Sequence, residues 1–282
     1  MRRRRRKFIF IATGSYSQWG SRPDGKPYGS WEFPNPVPEC PGNRLVMYRD
    51  FTAEEAKRLK LIIASPEYRA LAADTSYYRV AALMTALGEG DAIDRAWTLL
   101  QASWQADDDT PRKAKYQREF IAATTALPKP AAPDAISTWL LMQGRAANAL
   151  RELGDFTAAA ALLATLETAA IDTVIPAERS SPVPGSTGRT VENYAEIAAA
   201  KRRKGSAEYL TDLAVVVARR DADAEPIDMI PVRMAAARCS AAGAAAPPTC
   251  KAPDIAAQIE RERKFREETE KAPGVATPMA RF

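Results

Sequence analysis

The sequence predicts a mainly α-helical protein of stacked antiparallel helical hairpins, a repeat-like bundle, preceded by an irregular segment carrying at most two short strands. Three observations predict it. Beyond position 51, alanine and leucine recur at steps of three and four, the period of a helix with one buried face. Caps and glycine or proline stops punctuate those stripes at intervals suited to ordinary globular helices. Residues 8–50 lack that period and hold eight of the 22 aromatics and six of the 21 prolines.

The elements follow in chain order. Phe8–Ala12 and Arg44–Tyr48 are rich enough in β-formers to make one strand each. Pro34-Asn35-Pro36-Val37-Pro38 runs extended, because each proline drives its predecessor out of the helical region. Trp19, Trp31 and Phe33 are expected to pack against the chain's own helices, with a partner-binding face as the alternative. Thr52-Ala53-Glu54-Glu55 is a capping box that starts a helix to about Ala64, and Ser65-Pro66 opens a second. A third, Thr75 to Leu87, closes on Gly88. Between Asp91 and Ala106, the residues Ile93, Trp97, Leu100 and Trp104 share one face. Thr110-Pro111 starts a fifth helix to about Leu127, and Pro128–Pro133 is a stiff linker. Residues 135–153 align Trp139, Met142, Ala146, Ala149 and Leu153; Gly154 ends that helix and Asp155 begins its antiparallel mate. A Pro/Ser/Gly-rich loop is expected from about Asp172 to Arg189, then helices over 191–203, 206–220, 230–242 and 253–270. The division implied is a basic extension over 1–50, helical subdomains over 51–127 and 128–270, and an unstructured tail over 271–282.

The segment Gly144–Leu163 resembles a tetratricopeptide-type helical hairpin, through its small-residue stripe, its Leu153-Gly154-Asp155-Phe156 turn and the alanine at 159. A second, looser copy lies at Tyr78–Leu100, so the resemblance covers about 45–60 residues. It implies stacked helix pairs with a surface that takes a protein or peptide partner. Trp139, Asn148 and Arg151 are the residues expected on such a surface.

Charge is placed unevenly. The chain holds 40 Lys/Arg against 35 Asp/Glu, but the first fifty residues carry ten basic and four acidic side chains, so the remainder is within one charge of neutral. The excess is Arg2, Arg3, Arg4, Arg5, Arg6 and Lys7. A solvated extension is the simplest reading; a nucleic-acid-binding arm, through phosphate contacts, is the second. The third is a twin-arginine-like export start, although Phe8–Ala12 is shorter than the apolar core of such a signal. No apolar run approaches the ~18 residues that span a bilayer, so a soluble, cytoplasmic protein is expected, exported only if that start is real.

The 282 residues contain no histidine, which closes Ser/His/Asp triads, Cys/His dyads and imidazole zinc sites to this chain. Cys40 is half of a zinc knuckle without its other half. Cys239 and Cys250 lie across a helix–loop–helix containing Gly243 and Pro247-Pro248, and are read either as a disulfide, stabilising by about 3 kcal/mol and present only in an oxidising compartment, or as two buried thiols. Asp107-Asp108-Asp109 reads as a solvated loop favouring the next helix start, and Lys201–Lys204 as the cationic end of a helix before Gly205. Arg261, Arg263, Lys264 and Arg266 alternate with glutamates as on a solvent-exposed helix. No phosphate loop, dinucleotide fingerprint or nucleophile elbow is present, and no cofactor or metal is expected.

The function expected is therefore a non-enzymatic interaction or scaffold protein with a helical-repeat surface. The alternatives are a nucleic-acid-associated protein acting through Arg2–Lys7, and a histidine-independent enzyme built on Asp, Glu, Tyr and Lys, for which Tyr77, Tyr78 and Arg79 are the adjacent candidates.

Overall fold

The computed structural model describes residues 17–166, 173–182 and 189–271. Phe8–Ala12, Arg2–Lys7 and the tail beyond Lys271 lie outside them. The described chain is mainly helical, with two short two-stranded sheets.

The first sheet is a hairpin the sequence reading did not foresee. Strand β1 (Gln18–Ser21) pairs antiparallel with β2 (Pro27–Gly29), Gly20 opposite Tyr28 and Ser21 opposite Pro27. Arg22-Pro23-Asp24-Gly25 makes the turn: Gly25 takes a φ of 88° and donates its N–H to the Arg22 carbonyl at 2.9 Å. Proline followed by Asp-Gly is a turn signal, because proline presets one torsion and glycine tolerates the other. Arg44–Tyr48, expected as a strand, makes a single bridge, Val46 to Glu39. Pro41-Gly42-Asn43 reverses the chain so soon that the segment folds onto Pro38–Cys40, with Met47 N–H on the Pro38 carbonyl at 2.8 Å.

Helices α1 (Ala53–Ile62), α2 (Pro66–Ala70), α3 (Ser76–Leu87) and α4 (Ala92–Trp104) follow. Their ends are local chemistry. Thr52 and Glu55 form the capping box, Ser65 accepts from Tyr68 N–H, Gly88 takes the left-handed conformation, and Asp91 with Asp94 forms a second capping box. Next come α5 (Thr110–Thr125), α6 (Pro133–Glu152) and α7 (Phe156–Ala164). Strands β3 (Ser180–Pro182) and β4 (Arg189–Val191) pair where only loop was expected. Asn193 holds that loop in place, accepting from Arg179 N–H and donating to the Ala177 carbonyl, both at 2.9 Å.

Helix α8 (Tyr194–Ala218) is continuous where two helices broken at Gly205 were expected. A glycine inside a helix costs about 1 kcal/mol relative to alanine. Burial of Ala200, Ser206, Leu210, Leu213 and Val217 along one helix outweighs that cost. Lys201–Lys204 therefore sit within a helix and cap nothing. The chain ends in α9 (Val232–Ala242) and α10 (Pro253–Lys271).

Successive helices pack on one another from α3 to α7, and α8 lies against both α6 and α7. Short connections make neighbours antiparallel. The main core joins Ala96, Leu100 and Trp104 of α4 to Phe120 of α5 and to Met142, Ala146 and Ala149 of α6. The proline linker at 128–133 thus lies within one packed layer, and the expected boundary at 127/128 divides no core. Val46 of the N-terminal segment shares a second core with Leu59, Tyr68, Val80 and Leu83. Phe33 is buried as expected, while Trp19 and Trp31 remain 41% and 47% exposed.

Candidate functional site

The expected site residues separate. Trp139 is half-buried, its indole N–H donating to the Leu127 carbonyl at 3.1 Å. Asn148 and Arg151 are fully buried, which removes them from any partner surface. Their stripe is polar because it serves an interior network, and helical period alone does not distinguish a polar residue facing solvent from one facing a buried partner.

That network starts in the hairpin turn. Arg22 donates to Asp24 and, at 2.9 Å, to Asp107 in the α4–α5 loop. Lys26 reaches Asp107 at 2.6 Å, and Lys113 on α5 joins Asp107 at 3.0 Å to Glu152 at 3.2 Å. Glu152 also accepts from Gln117 and Asn148, each at 2.8 Å. Asn148 accepts from Arg151, whose remaining donors take the Asp221 and Asp223 carbonyls at 2.6 and 2.7 Å. Arg145 stacks over Trp97, 4.8 Å to the ring centroid, and Tyr209 of α8 donates to the Pro23 carbonyl at 2.8 Å. The hairpin is thereby laid across α4, α6 and α8. Glycine suits position 25 because L side chains rarely adopt its φ of 88°, and a Cβ there would also come 2.7 Å from the Arg145 guanidinium.

Burial would raise the Asp107 carboxyl, but Arg22 and Lys113 outweigh it and hold the group at about 2. Glu152 goes the other way: burial, then repulsion from Asp24, lifts it above the ordinary carboxyl range. Asp107 is therefore an internal ion hub and not the solvated loop carboxylate expected. Only chain folding brings it to Arg22, 85 positions away.

Tyr77, Tyr78 and Arg79 do not converge. Tyr77 donates to the Asn35 carbonyl at 3.1 Å, Tyr78 to Glu119 at 2.8 Å, and Arg79 pairs with Glu39 and the Arg44 carbonyl. Cys40 is a free thiol, and no cluster of three or more potential metal ligands exists among the described residues. No helix among them is long and apolar enough to cross a membrane.

Cys239 and Cys250 are joined in a disulfide, Cα atoms 5.7 Å apart, which ties the end of α9 to the turn before α10. Beside it lies a groove of about 250 Å³ between the starts of the two helices. Ile227, Ile230, Val232 and Ile255 give it an apolar lining, and Asp228 and Asp254 stand among them. Val232 is 36% exposed. Asp228 accepts from Arg219 at 2.7 Å. Asp212 on α8 is raised by burial and then by repulsion from Asp228 and Glu208. The sequence reading missed this groove. Its only trace is the spacing of Ile227, Ile230 and Val232 around Asp228 and Pro231, which reads equally as a helix start.

No family model matches the chain, and no curated protein or solved structure matches it.

Proposed function

We propose that this chain is a non-catalytic interaction protein whose docking surface is the groove between α9 and α10. The observation that carries the reading is an apolar recess, partly open at Val232, bordered by carboxylates and braced by the Cys239–Cys250 bridge. Such a recess suits a short apolar peptide segment with basic flanks, since apolar contact supplies affinity and charge supplies orientation and rate. The tetratricopeptide-like reading is consistent with α8 lying against both helices of the α6–α7 hairpin, and it makes those helices the frame that presents the groove. The disulfide favours the exported alternative over a cytoplasmic location, because such bridges persist in oxidising compartments.

The test is binding of a labelled peptide set, basic–apolar against acidic–apolar, to the full chain. Basic–apolar peptides bind preferentially, and Val232→Arg weakens them about tenfold, a loss of ~1.4 kcal/mol. Equal binding to both chains would sink the reading.

A further inference from the structure

Arg22, Arg79 and Arg151 each end on oxygen: Arg22 on Asp24 and Asp107, Arg79 on Glu39 and the Arg44 carbonyl, Arg151 on Asn148 and the Asp221 and Asp223 carbonyls. Arg145 on α6 departs from that pattern. Among the described residues its guanidinium makes no hydrogen bond and no ion pair; it lies on the Trp97 ring, 4.8 Å to the centroid, and against the turn at Gly25. Burial lowers its pKa by more than the attraction of Tyr209 and Asp24 restores. A guanidinium keeps its charge and carries a full fork of N–H donors, so holding it out of water with no acceptor is costly.

The surrounding carboxylates are already engaged. Asp24 gives both oxygens to Arg22 and one of them also to the Lys26 N–H. Asp107 is shared by Arg22, Lys26 and Lys113, and Glu152 is taken by Lys113, Gln117 and Asn148. Arg22, Lys26, Lys113, Arg145 and Arg151 thus stand against Asp24, Asp107 and Glu152, and the surplus is positive. A second donor beside the same ring is also unmet. Trp104, edge-on to Trp97 with ring centroids 5.4 Å apart, buries an indole N–H that has no partner.

Space agrees with charge. A Cβ at position 25 would fall 2.7 Å from the Arg145 Nε and 2.8 Å from its Nη2, the two nitrogens with which an arginine grips a pair of oxygens side by side. Glycine leaves that edge free of a side chain. Gly25, Lys26, Trp97 and Arg145 each keep part of their surface open, so the place is reachable from outside.

We propose that Arg145, lying on Trp97 beside the Gly25 turn, anchors an oxyanion site that binds the phosphate or carboxylate group of a small ligand. The planar fork holds two oxygens at once, and the partial burial around it strengthens those charge-assisted bonds. The site shares no residue with the groove between α9 and α10 and is independent of the docking reading.

Calorimetric titration of the full chain with inorganic phosphate and, separately, with acetate tests this, at constant ionic strength and with chloride as the control. Saturable binding with a Kd of order millimolar is expected, and the tighter of the two anions identifies the group the site prefers. Arg145→Met abolishes the binding, and Arg145→Lys, which keeps the charge and loses the fork, weakens it about tenfold. A second arm needs no variant and stands even if these misfold. In the isotope-labelled native chain, the Arg145 Nε–Hε resonance, assigned through its backbone, shifts along the same saturation curve. No saturable binding of either anion, equal binding of chloride, a Kd unchanged in a folded Arg145→Met chain, or an Arg145 resonance that stays still while the anion binds overturns the proposal.

Discussion

Trp104, Phe120 and Met142 fill the space between α4, α5 and α6, whereas α9 meets α10 over Ile227, Ile230, Ile255 and a disulfide. The central layer is wide enough to enclose Arg22, Asp107, Lys113, Glu152 and Arg151 and to give each a partner. The C-terminal unit has its own smaller apolar cluster, and its ion pairs, Arg219 with Asp228 and Arg238 with Asp223, lie near solvent. A small core gains from a covalent link because the bridge restricts the unfolded chain, while a large one tolerates charges because neighbouring elements supply their partners. The central layer adds a buried polar network to its apolar core, and the C-terminal unit adds a disulfide to its own.

The comparison breaks most readily at Arg151. Arg151→Ala leaves the Asp221 and Asp223 carbonyls and the Asn148 side chain without their donor, and is expected to cost about 3–5 kcal/mol in urea-induced unfolding. A loss below ~1 kcal/mol would mean the network contributes little beyond packing. Next is the bridge. Cys239→Ser with Cys250→Ser is expected to cost about 3 kcal/mol, from the entropy of a short closed loop. Hydrogen exchange should quicken in α9 and α10 and stay unchanged in α4–α6; a uniform change would mean the two regions unfold as one.

The smallest effect is the most specific. The folded Asp107 carboxyl, at about 2, ionises more readily than the unfolded one at 3.8. Its contribution is therefore complete above the unfolded value and is lost as pH falls through the folded one. The native chain should shed about 2 kcal/mol between pH ~4 and ~2 that Asp107→Asn does not, read from urea midpoints at each pH. Parallel curves for the two chains would remove Asp107 from the role of ion hub.

Legibility follows the same divide between local and distant chemistry. The capping pairs Thr52/Glu55 and Asp91/Asp94 and the glycine stop at 88 were readable because partners three positions apart meet as soon as a helix turns. The stripe Ile93, Trp97, Leu100 and Trp104 was readable because the helical period places it on one face. The hairpin at Arg22–Gly25 left a readable signal, proline before Asp-Gly, that an aromatic and proline-rich setting obscured. The groove left only the spacing of Ile227, Ile230 and Val232, which a helix start gives as well, because its walls come from the starts of two helices and a turn that only the folded chain assembles.

The sequence by itself determined the helical class, most helix ends and the confinement of net charge to the first residues, since each depends on neighbours within one or two turns. Tertiary structure alone decided that Asn148 and Arg151 face inward, that Gly205 continues a helix and that Asp107 meets Arg22. Elements remote along the chain bury Asn148 and Arg151 and bring Arg22 to Asp107, and at Gly205, itself exposed, burial of Ala200, Ser206, Leu210 and Leu213 along the same helix outweighs the local preference.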